Sequence, residues 1–179
     1  MKKAVFLDRD GVLNRSILLE GLPKPPYCIK DIEIIDRVPD AIQLLRNHDY
    51  VPVVVTNQPD VARGIVSREQ VEEINFYIGS KTGIEHFYTC FHEDKDLCYC
   101  RKPLPGLIHL AAGELSICVE ESFMVGDRWR DVLAGNSAGC KTFFIDYSYP
   151  ESPPIQPFTR VFSLYEATQI IIGDQNGSI

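Results

Sequence analysis

Short apolar runs alternate with amphipathic segments along most of the chain, and polar or acidic residues directly follow several of these runs. Helical spacing, a capping box at Ser67 and a glycine stop at Gly139 predict helices between the runs. This alternation is typical of an α/β fold, namely a Rossmann-like three-layer sandwich with a mostly parallel central sheet. The predicted strands are residues 3–7, 50–55, 86–91, 122–125, 141–145 and 160–164.

The length of 179 residues predicts one domain, residues 1–179, with two irregular segments inside it. Residues 15–33 contain several prolines and no clear period, so we expect a long loop or a small flap. Residues 147–159 are rich in proline and are predicted to form an extended connector. A last helix is predicted over residues 166–172, and residues 173–179 are expected to fray.

The net charge of −7 disfavours binding to nucleic acid or to an anionic membrane surface, because both repel a net anion. The apolar runs are far shorter than the ~18 residues that a membrane-spanning helix needs. The first residues also lack the apolar core of a signal peptide. We therefore expect a cytoplasmic protein whose six cysteines are thiols or metal ligands.

Four carboxylates are predicted to gather where two strands end. Asp8 and Asp10 follow the first strand, Asp127 follows the strand at 122–125, and Asp131 lies one helical turn beyond Asp127. A solvated turn or a helix cap would account for any one of these residues alone. Carboxylates brought together repel one another, so they need a cation or shared protons, and Mg²⁺ prefers such oxygen ligands. The pattern predicts a magnesium site.

Groups that suit a phosphate also follow strands or lie in loops. Thr56 and Asn57 come after the second strand, where hydroxyl, amide and backbone N–H groups can bind phosphate oxygens. Lys102 offers a point charge, and Arg101 offers a planar fork that suits phosphate or carboxylate. The alternative is an ordinary turn at Thr56 and a solvated loop at Arg101.

Residues 90–100 carry four metal-ligand side chains in eleven residues: Cys90, His92, Cys98 and Cys100. Three thiolates and one imidazole form a closed tetrahedral set, which is typical of structural zinc. A disulfide is the alternative, although Cys98 and Cys100 are poorly placed to pair with each other. A bound zinc ion would hold this loop rigid and direct the next two residues toward the phosphate site.

The sequences at residues 8–11, 56–58, 101–103 and 126–131 together resemble the four motifs of the haloacid dehalogenase superfamily. The chain is most similar to the small phosphatases of that superfamily, which have no large cap domain. The resemblance implies that Asp8 attacks phosphorus to form an aspartyl-phosphate, and that Asp10 acts as general acid and then as general base. It also implies that Asp8, the Asp10 carbonyl and Asp127 hold Mg²⁺, with Asp131 behind them.

The resemblance further implies that Thr56 and Lys102 steady the transferred phosphoryl group. The expected substrate-binding residues are Asn57, Gln58, Arg63, Arg101 and Arg128. The implied substrate is a small sugar phosphate, foremost the 7-phosphate of D-glycero-D-manno-heptose 1,7-bisphosphate in lipopolysaccharide heptose biosynthesis. Histidinol phosphate or another small metabolite is the alternative, and a monomer is expected. A phosphate-binding module without turnover is the non-enzymatic alternative.

This sequence differs at two places from the heptose-type phosphatases of the superfamily, and both differences affect which substrate is expected. Pro59 and Asp60 replace their usual Ser-Gly pair, which alters the backbone beside the phosphate site and adds a negative charge. The loop between His92 and Cys98 is also short, as in the histidinol-type members.

Overall fold

Six parallel strands form the central sheet of the computed structural model, which describes residues 1–176 and the surroundings of side chains as far as residue 173. In chain order these strands are β1 (Lys3–Leu7), β4 (Tyr50–Asn57), β5 (His86–Cys90), β6 (Phe123–Gly126), β7 (Lys141–Ile145) and β8 (Thr159–Val161). Their order across the sheet is β5-β4-β1-β6-β7-β8, and every neighbouring pair is parallel. The predicted α/β class and parallel sheet are confirmed, with strand ends that shift by a few residues.

The helices begin and end largely where local signals predict. They are α1 (Val38–Asn47), α2 (Arg68–Thr82), α3 (Gly106–Leu115), α4 (Trp129–Ala138) and α5 (Leu164–Asn176). The capping box is confirmed, since Ser67 Oγ accepts from the Gln70 backbone N–H and Gln70 Oε1 accepts from the Ser67 N–H. The predicted end of α5 at residue 172 was wrong, because the helix continues to Asn176. The part of the predicted fraying that concerns residues 177–179 lies outside the described residues.

The central strands β1, β4 and β6 are buried on both faces, which explains why they are largely apolar rather than alternating. Val5 and Leu7 of β1 belong to a core with residues of α1, α2 and α5. Ala4 and Phe6, which point to the other face, belong to a second core with residues of α3 and α4. Successive side chains of a strand point to opposite faces, so one short strand supplies both cores of the three-layer sandwich.

The chain reverses direction across the sheet between β1 and β6. From β1 the chain leads to β4 on one side, whereas from β6 it leads to β7 on the other side. Beyond the carboxyl ends of two such strands the loops separate and leave a crevice, where ligands bind in this class of fold. Asp8 and Asp127 are the first residues after β1 and β6, so the fold places both at this crevice.

Two irregular segments border the crevice. Residues 16–28, called the flap below, contain an antiparallel hairpin of β2 (Ile17–Leu19) and β3 (Leu22–Lys24), which agrees with the small-flap alternative. The residues of the predicted connector have no helix or strand until β8 begins at Thr159. It folds back over the site, since Tyr147 donates from its hydroxyl to the Gly11 carbonyl at 3.0 Å.

None of the helices within residues 1–176 combines the length and the apolar character that crossing a bilayer requires.

Candidate active site

A buried lysine joins two of the carboxylates at the crevice. Lys102 Nζ lies 2.8 Å from Asp8 Oδ1 and 2.6 Å from Asp131 Oδ1, and Lys102 is only 2% exposed. Although burial lowers the pKa of Lys102, the carboxylates of Asp131 and Asp8 raise it overall. Burial raises the pKa of Asp8 to about 6, against the opposing effect of Lys102. The ion pairs therefore hold a carboxylate at the end of β1 with a fixed cation beside it.

Asp127 is a buried acid whose carboxylate lies near the Tyr149 hydroxyl but has no well-formed hydrogen bond among the described residues. It is 2% exposed, and neither of its oxygens accepts a hydrogen bond of normal geometry from the residues that the structure describes. Burial and the charges of Asp8 and Asp131 raise the pKa of Asp127 well above its usual value. Buried carboxylates are stable only with a partner, and one oxygen from each of these three acids lies within 4.8 Å of the others. The donor set fits a divalent cation with oxygen ligands.

Gly11 lets the chain pass close to Asp127. It has a φ of +89°, and a Cβ at this position would overlap the Asp127 carboxylate. Only glycine combines this backbone conformation with so close an approach.

We expect Gly11→Ala to displace Asp127, and to reduce both turnover and the free energy of unfolding. Gly139→Ala is the matched control, because Gly139 has a φ of +97° but has no described atom within 4 Å of such a Cβ. The control should cost about 1–2 kcal/mol for the left-handed backbone alone, and Gly11→Ala should cost at least ~1 kcal/mol more for the overlap. Denaturant unfolding of both variants measures the difference. Equal losses would show that the Gly11 backbone has room for a side chain.

Asp10 is held by three side chains that point at its carboxylate. The Arg9 guanidinium donates to both oxygens, Asn14 Nδ2 donates to Oδ1 at 3.0 Å, and Gln58 Nε2 donates to Oδ2 at 2.8 Å. Arg9 is itself completely buried and donates from Nη1 to Asn75 Oδ1. Gln58 also donates to Thr56 Oγ1, so its amide serves its neighbours and does not line the cavity.

Asn57 positions Lys102 through the backbone. Its Nδ2 donates to the Lys102 carbonyl at 2.9 Å, and its Oδ1 accepts from the Lys102 N–H at 3.0 Å. Both polar atoms of the Asn57 amide are therefore engaged within the protein. The pairing fixes the loop after residue 100 to the end of β4, and so places the ammonium group beside Asp8.

A cavity of about 350 Å³ opens in front of these groups. The predicted residues that line it are Asp8, Asp10, Thr56, Asn57, Arg63, Arg101, Lys102, Asp127, Arg128 and Asp131. Its rim also contains acids that sequence reasoning missed. Asp94 Oδ1 accepts from Arg101 Nε at 2.8 Å and from Arg130 Nη1 at 3.2 Å, and Glu151 of the connector pairs with Arg128. Neither acid belongs to a motif, so no signal in the sequence singled it out.

The predicted metal-ligand side chains of residues 90–100 lie together. Sγ of Cys90 is 3.7 Å from that of Cys98 and 3.3 Å from that of Cys100, and Cys98 and Cys100 are 3.4 Å apart. His92 Nδ1 is 3.3 Å from Cys100 Sγ. All six cysteines of the chain are free, and a tetrahedral zinc with Zn–S bonds of ~2.3 Å separates its sulfur ligands by about 3.8 Å. The cluster can hold such an ion with small adjustments.

Comparison with known proteins adds four findings, from a family model, two relatives and a solved structure. The HAD-hydrolase-like family model matches residues 99–148. The chain is similar to D-glycero-beta-D-manno-heptose-1,7-bisphosphate 7-phosphatase of Haemophilus ducreyi, with 37% identity over 79% of this chain and 81% of the relative. It is also similar to D-glycero-alpha-D-manno-heptose-1,7-bisphosphate 7-phosphatase of Photorhabdus laumondii, with 30% identity over 94% of this chain and 96% of the relative.

Among solved structures, D,D-heptose 1,7-bisphosphate phosphatase from B. bronchiseptica, complexed with magnesium and phosphate, has a TM-score of 0.85 to this chain. The identity is 23%, and the match covers 96% of this chain and 99% of the other. This likeness shows that the two chains share a fold.

Proposed function

The chain belongs to the haloacid dehalogenase-like phosphatases that include the heptose-1,7-bisphosphate 7-phosphatases, and on that basis we propose that it removes the 7-phosphate of D-glycero-D-manno-heptose 1,7-bisphosphate in a Mg²⁺-dependent reaction. The observation that carries the proposal is the crevice itself. Asp8 is paired there with a buried lysine, and beside them the buried Asp127 carboxylate accepts no hydrogen bond of normal geometry from the described residues.

Asp8 is the proposed nucleophile. Its carboxylate forms a bond to phosphorus while the bond from phosphorus to the sugar oxygen breaks, which leaves an aspartyl-phosphate. Asp10, in its protonated form, gives its proton to the departing alcohol, and the resulting carboxylate then takes a proton from the attacking water. That water breaks the acyl-phosphate, so inorganic phosphate leaves and the Asp8 carboxylate is restored.

The surrounding side chains position these groups and the substrate. Lys102 neutralises charge on the phosphoryl oxygens from its place beside Asp8, and Thr56 contributes a hydroxyl at the cavity wall. Asn57 and Gln58 act through Lys102 and Asp10. Arg63, Arg101 and Arg128 line the cavity and are the proposed contacts to the rest of the substrate.

Asp8, Asp127 and the Asp10 carbonyl are the proposed holders of Mg²⁺, with Asp131 next to them. When bound, the ion offsets the negative charge that a carboxylate meets as it approaches a phosphate. The oxygens of Asp127, which accept no hydrogen bond of normal geometry from the described residues, support this assignment, as does the magnesium named for the B. bronchiseptica phosphatase. We also propose zinc at Cys90, His92, Cys98 and Cys100, where it has a structural role. Six free cysteines fit a reducing compartment, and we propose the cytoplasm.

The test is phosphate release from a panel of phosphorylated metabolites, with and without Mg²⁺. We expect the highest kcat/KM for the heptose 1,7-bisphosphate, a product that keeps its 1-phosphate, and loss of turnover on removal of the metal. Both anomers belong in the panel, because relatives are named for each. Histidinol phosphate is the second candidate, favoured by the short loop between His92 and Cys98. A preference for histidinol phosphate would overturn the substrate, and no release from any ester would overturn the activity.

A further inference from the structure

A buried carboxylate outside the catalytic group lies in the wall of the same cavity. Asp60, two residues beyond Gln58, is 5% exposed and lines the cavity. Its Oδ2 accepts from the Tyr27 hydroxyl at 2.8 Å, and its Oδ1 accepts from Arg63 Nη1 at 2.9 Å. Each oxygen therefore has its own donor, which offsets the cost of burying the charge.

These contacts link three walls of the cavity. Tyr27 belongs to the flap, whose residues 22–25 line the cavity. Arg63 belongs to the turn after β4, which is fixed by backbone bonds from the Arg63 N–H to the Pro59 carbonyl and from the Ile65 N–H to the Asp60 carbonyl. Arg63 Nε also donates at 3.3 Å to Glu93 of residues 90–100, called the Cys/His loop below. One continuous chain of hydrogen bonds thus joins the flap, the β4 turn and the Cys/His loop.

The hydrogen bonds that Tyr27 and Arg63 donate to Asp60 are maintained near neutral pH. Burial and the hydrogen bond to Asp60 raise the pKa of Tyr27 to about 12, so the phenol remains a donor. Arg63 stays charged and lies between two carboxylates, which fix its guanidinium in one orientation. Ordering of a loop before the ligand arrives lowers the entropy lost on binding.

We propose that Asp60 is a positioning residue for substrate selection: it ties the flap to Arg63 and so fixes the part of the cavity that receives the sugar beyond the reacting phosphate. This inference rests on the proposed function. The expected substrates are phosphate esters large enough to reach the flap. Hydrolysis of smaller esters should not depend on the link that Asp60 makes between the flap and Arg63.

The kinetic test compares Asp60→Asn, Tyr27→Phe and the double variant on heptose 1,7-bisphosphate and on p-nitrophenyl phosphate, which has no sugar. We expect each single variant to raise KM for the bisphosphate about tenfold while kcat and all p-nitrophenyl phosphate kinetics stay within about twofold. Adding Tyr27→Phe to Asp60→Asn should raise KM by less than the product of the two single effects, because both weaken the contact between Tyr27 and Asp60, whereas Asp60→Asn also weakens the Arg63 ion pair. Tyr88→Phe is the matched control, since its hydroxyl donates to Glu114 at 2.7 Å outside the cavity.

Equal losses on both substrates together with a lower melting temperature would overturn the proposal, because they would indicate general destabilisation. Unchanged KM values would overturn it as well.

A protease assay separates this inference from the proposed function. Trypsin can cut the chain beside the flap after Lys30, and we expect cleavage there to be about tenfold faster in Asp60→Asn and Tyr27→Phe than in Tyr88→Phe or the unchanged chain. If the unchanged chain hydrolyses no sugar phosphate, the proposed function fails. The cleavage rate after Lys30 still tests whether Asp60 links the flap to Arg63. Equal cleavage rates in all four proteins would refute the proposed link between the flap and Arg63.

Discussion

Asp8→Asn is expected to reduce kcat on every substrate by on the order of 10⁴-fold or more, because an amide cannot attack phosphorus as a carboxylate does. The side chains have nearly the same shape, and Lys102 keeps its contact with Asp131. The fold should therefore survive, and the melting temperature should stay within about 4 °C, the shift that ~1 kcal/mol produces in a chain of this size. Steady-state kinetics and a thermal melt measure both quantities.

The control for this variant is another aspartate at a strand end. Asp146 directly follows β7, pairs with Arg160 at 3.1 Å and does not line the catalytic cavity. Asp146→Asn should leave kcat within about twofold. Acid quench and mass spectrometry should detect a phosphorylated Asp8 peptide in the unchanged chain and none in Asp8→Asn. Retained turnover in Asp8→Asn would remove Asp8 as the nucleophile.

Cys98→Ser is expected to release the zinc ion and to lower the melting temperature by about 10 °C, which corresponds to a loss of roughly 4 kcal/mol. The loop has few buried apolar side chains of its own, since most of residues 91–100 are exposed or half-buried. Without the ion the loop loses its order, and Arg101 and Lys102 directly follow its last ligand. Turnover should therefore fall together with stability.

Cys118→Ser provides the comparison, because Cys118 lies outside the cluster and donates from Sγ to Glu120 at 3.4 Å. Its melting temperature should stay within about 4 °C of the unchanged chain, a shift that ~1 kcal/mol would give. Elemental analysis should find about one zinc per chain in the unchanged protein and in Cys118→Ser. Protein purified without chelators that contains no zinc would refute the assignment.

The fold and the centre of the site could be predicted because both follow from local patterns. A buried parallel strand reads as an uninterrupted apolar run, and the residue after it must lie at the carboxyl edge of the sheet. Asp8 and Asp127 are brought together by that geometry alone. The Cys/His cluster is equally local, since its four ligand side chains lie within eleven residues.

The remaining parts of the site depend on contacts between distant irregular segments. Tyr27 contacts Asp60, and Glu151 contacts Arg128, because loops fold back over the sheet edge. No periodic pattern in the sequence predicts these contacts. Residue type alone also gives a wrong prediction of substrate binding where a polar side chain bonds to other groups of the protein. Asn57 and Gln58 are polar residues beside a phosphate site, yet their amides hold Lys102 and Asp10.

The proposed nucleophile and the proposed metal ligand differ in structural origin from the groups around them. Asp8 and Asp127 follow the two central strands β1 and β6, where the backbone on both sides is fixed by neighbouring strands. Most of the walls around the cavity come from the flap, the β4 turn, the Cys/His loop with the residues that follow it, and the connector, and the start of α4 adds Arg128 and Arg130. Insertions and substitutions accumulate in such segments without disturbing a sheet. Lineages of this scaffold can therefore diverge toward new metabolites while inheriting one reaction unaltered.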